Sequence, residues 1–139
     1  MRPPAAMGAT RIDGNACGAA LEASLEARIS ALGSAPHLAV VIVGDDPASH
    51  VYVGAKERAC ARLGIRSTRI DLAATADYSE VVATVQRLNA DSDVNGILVQ
   101  SPLPDGMDEI AITDLIDPNK DVDGFQAQNL GRLVQGDTS

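Results

Sequence analysis

The chain has no tryptophan, one phenylalanine and two tyrosines in 139 residues. Its core must therefore be built from Val, Ile, Leu and Ala, which the 45% hydrophobic fraction supplies. The same scarcity singles out Tyr52 and Phe125, since neither is lost among core rings. With only Cys17 and Cys60, the chain has neither a disulfide framework nor a cysteine metal site. His37 and His50 fall in no ligand spacing and are expected at the surface, so no metal is expected. Basic residues number 11 against 19 acidic ones, for a net charge of -8. That balance argues against a nucleic-acid partner, which would require a basic face. No run approaches the roughly 18 apolar residues of a membrane span, and residues 1–8 lack the apolar segment of a secretory signal. The expectation is a reducing, cytoplasmic setting with no membrane partner. Neither Gly-x-Gly-x-x-Gly nor Gly-x-x-x-x-Gly-Lys-[Ser/Thr] occurs, so no dinucleotide or P-loop fingerprint is present.

What remains reads as one domain. Residues 1–10 are expected to be a disordered tail and 11–139 a single α/β domain. Leu21, Leu25, Ile29 and Leu32 recur at helical spacing and predict a helix over 15–32, stopped by the Gly33–Pro36 turn. The β-branched run over 38–43 predicts a strand buried on both faces of a parallel sheet. Asp46 is a good N-cap and Pro47 a good first residue for a helix over 47–63, with Gly64 just past its end. A strand over 67–72 and a helix over 79–89 follow. A third strand over 94–99 ends before Pro102 and Pro104, and a short helix spans 108–116. Beyond that the chain is expected to be irregular. Alternating strands and helices predict a mostly parallel sheet with flanking helices, a three-layer α/β fold.

Three segments could carry chemistry. The first is the turn into the 47–63 helix, where Ser49, Tyr52 and Lys56 at i, i+3 and i+7 share one helix face. That face lies at the C-terminal end of a parallel strand, where open α/β sheets place ligands. Lys56 could carry a proton, or be a solvated lysine paired with an acid. Tyr52 could stack on a flat heterocycle, or be an ordinary half-buried ring. Ser49 could simply satisfy first-turn amides. The second segment is Gln100-Ser101-Pro102-Leu103-Pro104, directly after the third strand. Its glutamine can both donate and accept, or merely end a strand. The third is the run from Asp117 to Phe125. Asp121 and Asp123 do not complete a calcium loop. A carboxylate there suits a ligand with paired N–H donors, or caps a helix.

In order and spacing these blocks resemble the methylenetetrahydrofolate dehydrogenase/cyclohydrolase family, the bifunctional FolD-type enzymes. The first block is Gly44, Asp46-Pro47-Ala48-Ser49, Tyr52-Val53, Lys56 and Gly64-Ile65. The second is Gly96-Ile97-Leu98-Val99-Gln100 with Pro102-Leu103-Pro104. The third is Pro118, Lys120-Asp121-Val122-Asp123-Gly124-Phe125, then Asn129 and Gly131. The resemblance runs from about residue 12 to 136. It implies oxidation of 5,10-methylenetetrahydrofolate with NADP or NAD and hydrolysis of the methenyl product to 10-formyltetrahydrofolate.

On this pattern Lys56 would be the catalytic lysine and Gln100 its hydrogen-bonding partner. Tyr52 would pack on the folate rings and Asp123 would hold the pterin's amino edge. Ser49 and Pro102 would line the same substrate site. The resemblance also implies a homodimer and NADP as cofactor, held by a Rossmann domain outside this chain. The chain is then expected to be the substrate-binding catalytic half, without dehydrogenase activity by itself. The competing readings are a folate-binding or interaction module without turnover and a flavodoxin-like signalling domain; against the latter stand Lys56 and the absence from this chain of a phosphoacceptor-type acidic cluster at the first strand end. Two segments depart from the family pattern. Ser101 replaces a leucine, and Gln126-Ala127 replace His-Pro. The first is expected to change loop packing and the second to loosen a loop that proline stiffens.

Overall fold

A computed structural model describes residues 12–137. The tail expected over 1–10 lies outside them. The elements in chain order are α1 (Gly14–Ser30), β1 (His37–Val43), α2 (Pro47–Leu63), β2 (Arg66–Leu72), α3 (Tyr78–Ala90), β3 (Gly96–Val99), α4 (Glu109–Thr113) and α5 (Ala127–Val134).

The β-branched run of β1 makes it the central strand. Successive side chains point to opposite faces of a sheet, and β1 uses both. Ala39, Val41 and Val43 enter one buried cluster with Val81 and Val85 of α3, Ile97 of β3 and Ile112 of α4. Val40 and Ile42 enter a second cluster with Val53 of α2 and Leu98 of β3. The sheet is thus the middle of three layers. Full burial of each of these side chains contributes about 1.5–3 kcal/mol. β2 and β3 flank β1 in the order β2-β1-β3, both parallel to it. The register runs His37 opposite Arg66 to Val43 opposite Leu72, and Leu38 opposite Gly96 to Val41 opposite Val99. Because every strand runs the same way, all three C-terminal ends open at one edge.

Helix starts follow the expected capping. Asp13, Asp46, Asp77 and Asp108 cap α1 to α4, each accepting from a backbone N–H of the first turn. Gly64, at φ +74°, ends α2 in the left-handed region. Element bounds differ from the sequence reading by a residue or two for most elements. α4 is shorter than expected, closing at Thr113.

Two expectations are corrected, for the region after α4 and for His37. The region after α4 is not irregular throughout, because α5 forms there. α1 buries no residue completely. Leu25 and Ile29 are half-buried, while Leu21 and Leu32 of its apolar stripe stay exposed. His37 is not a surface histidine but is buried at the start of β1. Its Nε2 lies 2.8 Å from Thr68 Oγ1, and its Nδ1 lies 3.1 Å from the Asp93 carbonyl and 3.0 Å from Arg66 Nη2. Partners on β2 and before β3 make burial of the ring affordable. His50 is half-buried, with Nδ1 2.6 Å from Arg69 Nη2.

Candidate functional site

At the C-terminal edge of the sheet, β1 leaves through Gly44, whose φ of +91° favours glycine. A Cβ there would only make ordinary contact with Ala74, at 3.6 Å, so the backbone angle is what requires glycine. The turn delivers Asp46, whose carboxylate accepts from the Ser49 N–H at 2.7 Å. The hydrogen bonds from Ser49 hold this carboxyl below the usual carboxylate range. The cap sets the start of α2, and with it the face on which Ser49, Tyr52 and Lys56 stand. Ser49 is 2% exposed and Tyr52 61% exposed. Lys56 is half-buried.

β3 supplies the opposite wall. The Gln100 N–H donates to the Val41 carbonyl at 2.9 Å, which extends the strand pairing to the glutamine. Lys56 Nζ then donates to Gln100 Oε1 at 2.8 Å. Gln100 Nε2 donates back to the Ser101 carbonyl at 2.8 Å, and Ser49 Oγ donates to the same oxygen at 3.2 Å. An ammonium has three N–H donors, and Lys56 uses one of them on the described residues. Pro102 lines an adjoining groove of about 350 Å³ with Gly44, Asp46, Ala74 and Pro104.

The third wall is a segment laid against the free edge of β3. Ile97 N–H donates to the Lys120 carbonyl at 2.7 Å, and Ile97 bridges Asp121 in parallel. Gly96 permits this approach. A Cβ there would meet Val122 Cγ1 at 2.5 Å. Asp123 lies two residues beyond the bridge. Burial of its carboxyl raises its pKa above the ordinary value; the Lys56 charge opposes the rise and the Asp121 charge adds to it. Asp123 accepts no hydrogen bond from the described residues.

Residues that sequence reasoning left without a role hold this wall. Asp121 accepts from the N–H groups of Gly124 and Gln126 and from Asn129 Nδ2, at 2.9 to 3.0 Å. Burial disfavours its charge, but those hydrogen bonds outweigh it and keep the carboxyl below its ordinary pKa. Lys120 Nζ donates to the carbonyls of Leu88, Asn89 and Asp91, fastening the segment to the end of α3. Lys120, Asp121 and Asn129 were all among the residues that carried the family resemblance, and that was the signal available. Gln126 and Ala127, expected to loosen the loop, are instead both tied. Gln126 Oε1 caps α5 at Gln128 N–H, and Ala127 N–H donates to Asp114 at 2.8 Å. A proline at 127 has no such donor. Phe125 is exposed and lines a separate groove with Ile110 and Leu130.

The arrangement therefore gathers Lys56, Gln100 and Asp123 at one edge, with Tyr52 exposed on the same helix face as Lys56. Ser49 lies beneath them with its hydroxyl already engaged. The described residues contain no group of three or more His, Cys, Asp or Glu side chains suited to a metal ion. None of their helices is long and apolar enough to cross a membrane.

Comparison with known proteins gives one consistent result. Residues 12–123 match the family model described as tetrahydrofolate dehydrogenase/cyclohydrolase, catalytic domain. The bifunctional protein FolD of Synechococcus sp. (strain CC9902) is 50% identical over 133 residues, covering 93% of this chain and 45% of the relative. Among solved structures, the FolD methylenetetrahydrofolate dehydrogenase/cyclohydrolase of Campylobacter jejuni superposes with a TM-score of 0.88 at 41% identity. That match covers 91% of this chain and 46% of the other. The FolD of Trypanosoma brucei, solved with NADP cofactor and an inhibitor, superposes with a TM-score of 0.84 at 33% identity, covering 90% of this chain and 44% of that one. The chain spans about half the length of the curated relatives it matches.

Proposed function

The chain belongs to the tetrahydrofolate dehydrogenase/cyclohydrolase family, and from that premise we propose that it is the folate-binding catalytic half of an enzyme of one-carbon transfer. The full enzyme oxidises 5,10-methylenetetrahydrofolate with NADP and hydrolyses 5,10-methenyltetrahydrofolate to 10-formyltetrahydrofolate. The observation that carries this reading is the hydrogen bond from Lys56 Nζ to Gln100 Oε1, with the Asp123 carboxylate beside them.

Each group has chemistry suited to the reaction. The Asp123 carboxylate accepts from the paired N–H donors of the pterin edge. Tyr52, exposed at the rim, offers its ring as a platform for the flat heterocycle. Lys56 has N–H donors to spare for the one-carbon unit that bridges two folate nitrogens. In the hydrolysis, water oxygen bonds to the methenyl carbon and gives up a proton. The remaining O–H proton then leaves as the formyl C=O forms and the bond from that carbon to N5 breaks, and N5 gains a proton, so that one proton is released overall. Lys56 assists these proton transfers, and Gln100 holds its ammonium in place. Ser49 acts from below, through the Ser101 carbonyl. Pro102 forms part of the neighbouring groove wall.

NADP, when bound, would supply the hydride acceptor for the oxidation. The described residues do not fit it. Dinucleotide pyrophosphates are bound at uncapped, glycine-rich helix N-termini. Here the start of α2, the helix that follows the central strand, is occupied by the Asp46 carboxylate. The starts of α1, α3 and α4 are likewise taken by Asp13, Asp77 and Asp108. The start of α5 is capped by the Gln126 side chain, so none of the described helix starts offers an open pyrophosphate site.

The test is the loss of 5,10-methenyltetrahydrofolate absorbance with the chain and with Lys56→Met. Hydrolysis above background that disappears in the variant is the expected result. Equal rates for both proteins would leave a folate-binding module without turnover.

A further inference from the structure

A glutamine carboxamide can present either its oxygen or its NH2 to a neighbour, and the two differ only by a flip. Lys56 has donors only, so the productive orientation turns Oε1 toward it. What secures the other end of the amide is one backbone oxygen. The Ser101 carbonyl accepts from Gln100 Nε2 and from Ser49 Oγ, which uses both of its lone pairs. That oxygen serves only while the backbone of residue 101 is held.

Residue 101 is held from two sides. Gln100 N–H is pinned to the Val41 carbonyl on β1. The Ser101 hydroxyl donates to the carboxylate of Glu109, the first residue of α4. α4 is itself anchored, with Asp108 capping it at Ala111 N–H, 3.0 Å, and Ile112 buried in the core. Ser101 stands where the family pattern has leucine, a side chain with no donor. Neither Ser101 nor Glu109 is hydrogen-bonded to Lys56.

We propose that Ser101 and Glu109 form a positioning clip, which fixes the Ser101 carbonyl and thereby the orientation of the Gln100 carboxamide toward Lys56. The inference rests on the catalytic reading of Lys56. Neither residue is catalytic, because both act through Gln100.

The decisive readout does not depend on turnover. In the 15N-labelled chain, the Gln100 carboxamide resonances are compared among wild type, Ser101→Ala, Glu109→Ala and Ser101→Thr, with backbone amide spectra confirming the fold. Ser101→Ala and Glu109→Ala are each expected to shift those resonances and to speed their solvent exchange by about 10-fold, as local opening becomes easier. Ser101→Thr keeps the hydroxyl and is expected to restore them. In the hydrolysis assay both alanine variants are expected to lose kcat by about 5-fold through misplacement, with KM little changed. The double variant should be no worse than either single one. Unchanged Gln100 resonances in Ser101→Ala, or additive losses in the double variant, would overturn the clip. If Lys56→Met leaves hydrolysis unchanged, the catalytic reading fails, and the carboxamide signals still decide the clip.

Discussion

At the N-terminal end of the sheet, His37, Arg66, Asp93 and Asn95 spend their polar atoms on one another. The His37 ring is engaged at both nitrogens, the His37 backbone N–H donates to Asn95 Oδ1 at 2.9 Å, and Arg66 pairs with Asp93 at 2.6 Å. At the C-terminal end, Lys56 keeps donors in reserve, Asp123 accepts nothing from the described residues, and Tyr52 faces outward. The same strands carry both clusters. The difference teaches that burial of polar groups marks a structural clip when valences are filled. It marks a site when they are left open at the edge where parallel strands end.

This contrast can be broken by substitution at either end. Lys56→Met is expected to lower methenyltetrahydrofolate hydrolysis by about 100-fold or more while thermal unfolding stays as in wild type. His37→Ala is expected to do the reverse. It should cost about 2 kcal/mol of stability, read by denaturant unfolding, because Thr68 and Asp93 lose a buried partner.

Two smaller effects sharpen the contrast within the site. Asp123→Asn is expected to weaken folate binding by about 10-fold, measured by calorimetry, since a charged acceptor becomes a neutral one. The Asp123 pKa lies above its ordinary 3.8. Wild-type affinity should therefore fall as pH drops through that raised value, and the variant should lose this dependence. Asp121 titrates in the opposite sense. Its folded pKa is depressed, so its stabilisation is present above the ordinary 3.8 and is lost as pH falls through the lower folded value. Acid unfolding of Asp121→Asn should be correspondingly flatter between 3.8 and that lower value, at a cost of about 1 kcal/mol at neutral pH.

The central strand, the helix that follows it and the cap at Asp46 were legible in the sequence, because each is encoded locally. β1 is a continuous apolar run, and Asp46-Pro47 is a helix start in two residues. α5 was not read. Its interior includes Gly131 and Asn129, which lower helix propensity, and it is tied to the loop by Asn129 bonding Pro118 and Asp121. Leu130, Leu133 and Val134 at helical spacing were the signal within reach. The burial of His37 was hidden for another reason, since its partners lie 29 to 56 residues away in sequence. In the site, Lys56 and Gln100 were paired through the family resemblance, and the structure brings them to 2.8 Å. The scaffold beneath them, from Asp121 to Lys120 to the end of α3, depends on chain crossings that no local pattern announces.

The most direct test of this division of labour is the rate of 5,10-methenyltetrahydrofolate hydrolysis by Lys56→Met and His37→Ala, side by side at a temperature where both are folded. The expected result is loss of the rate in the first and an unchanged rate per folded molecule in the second. Equal loss in both, or a retained rate in Lys56→Met, would contradict the account.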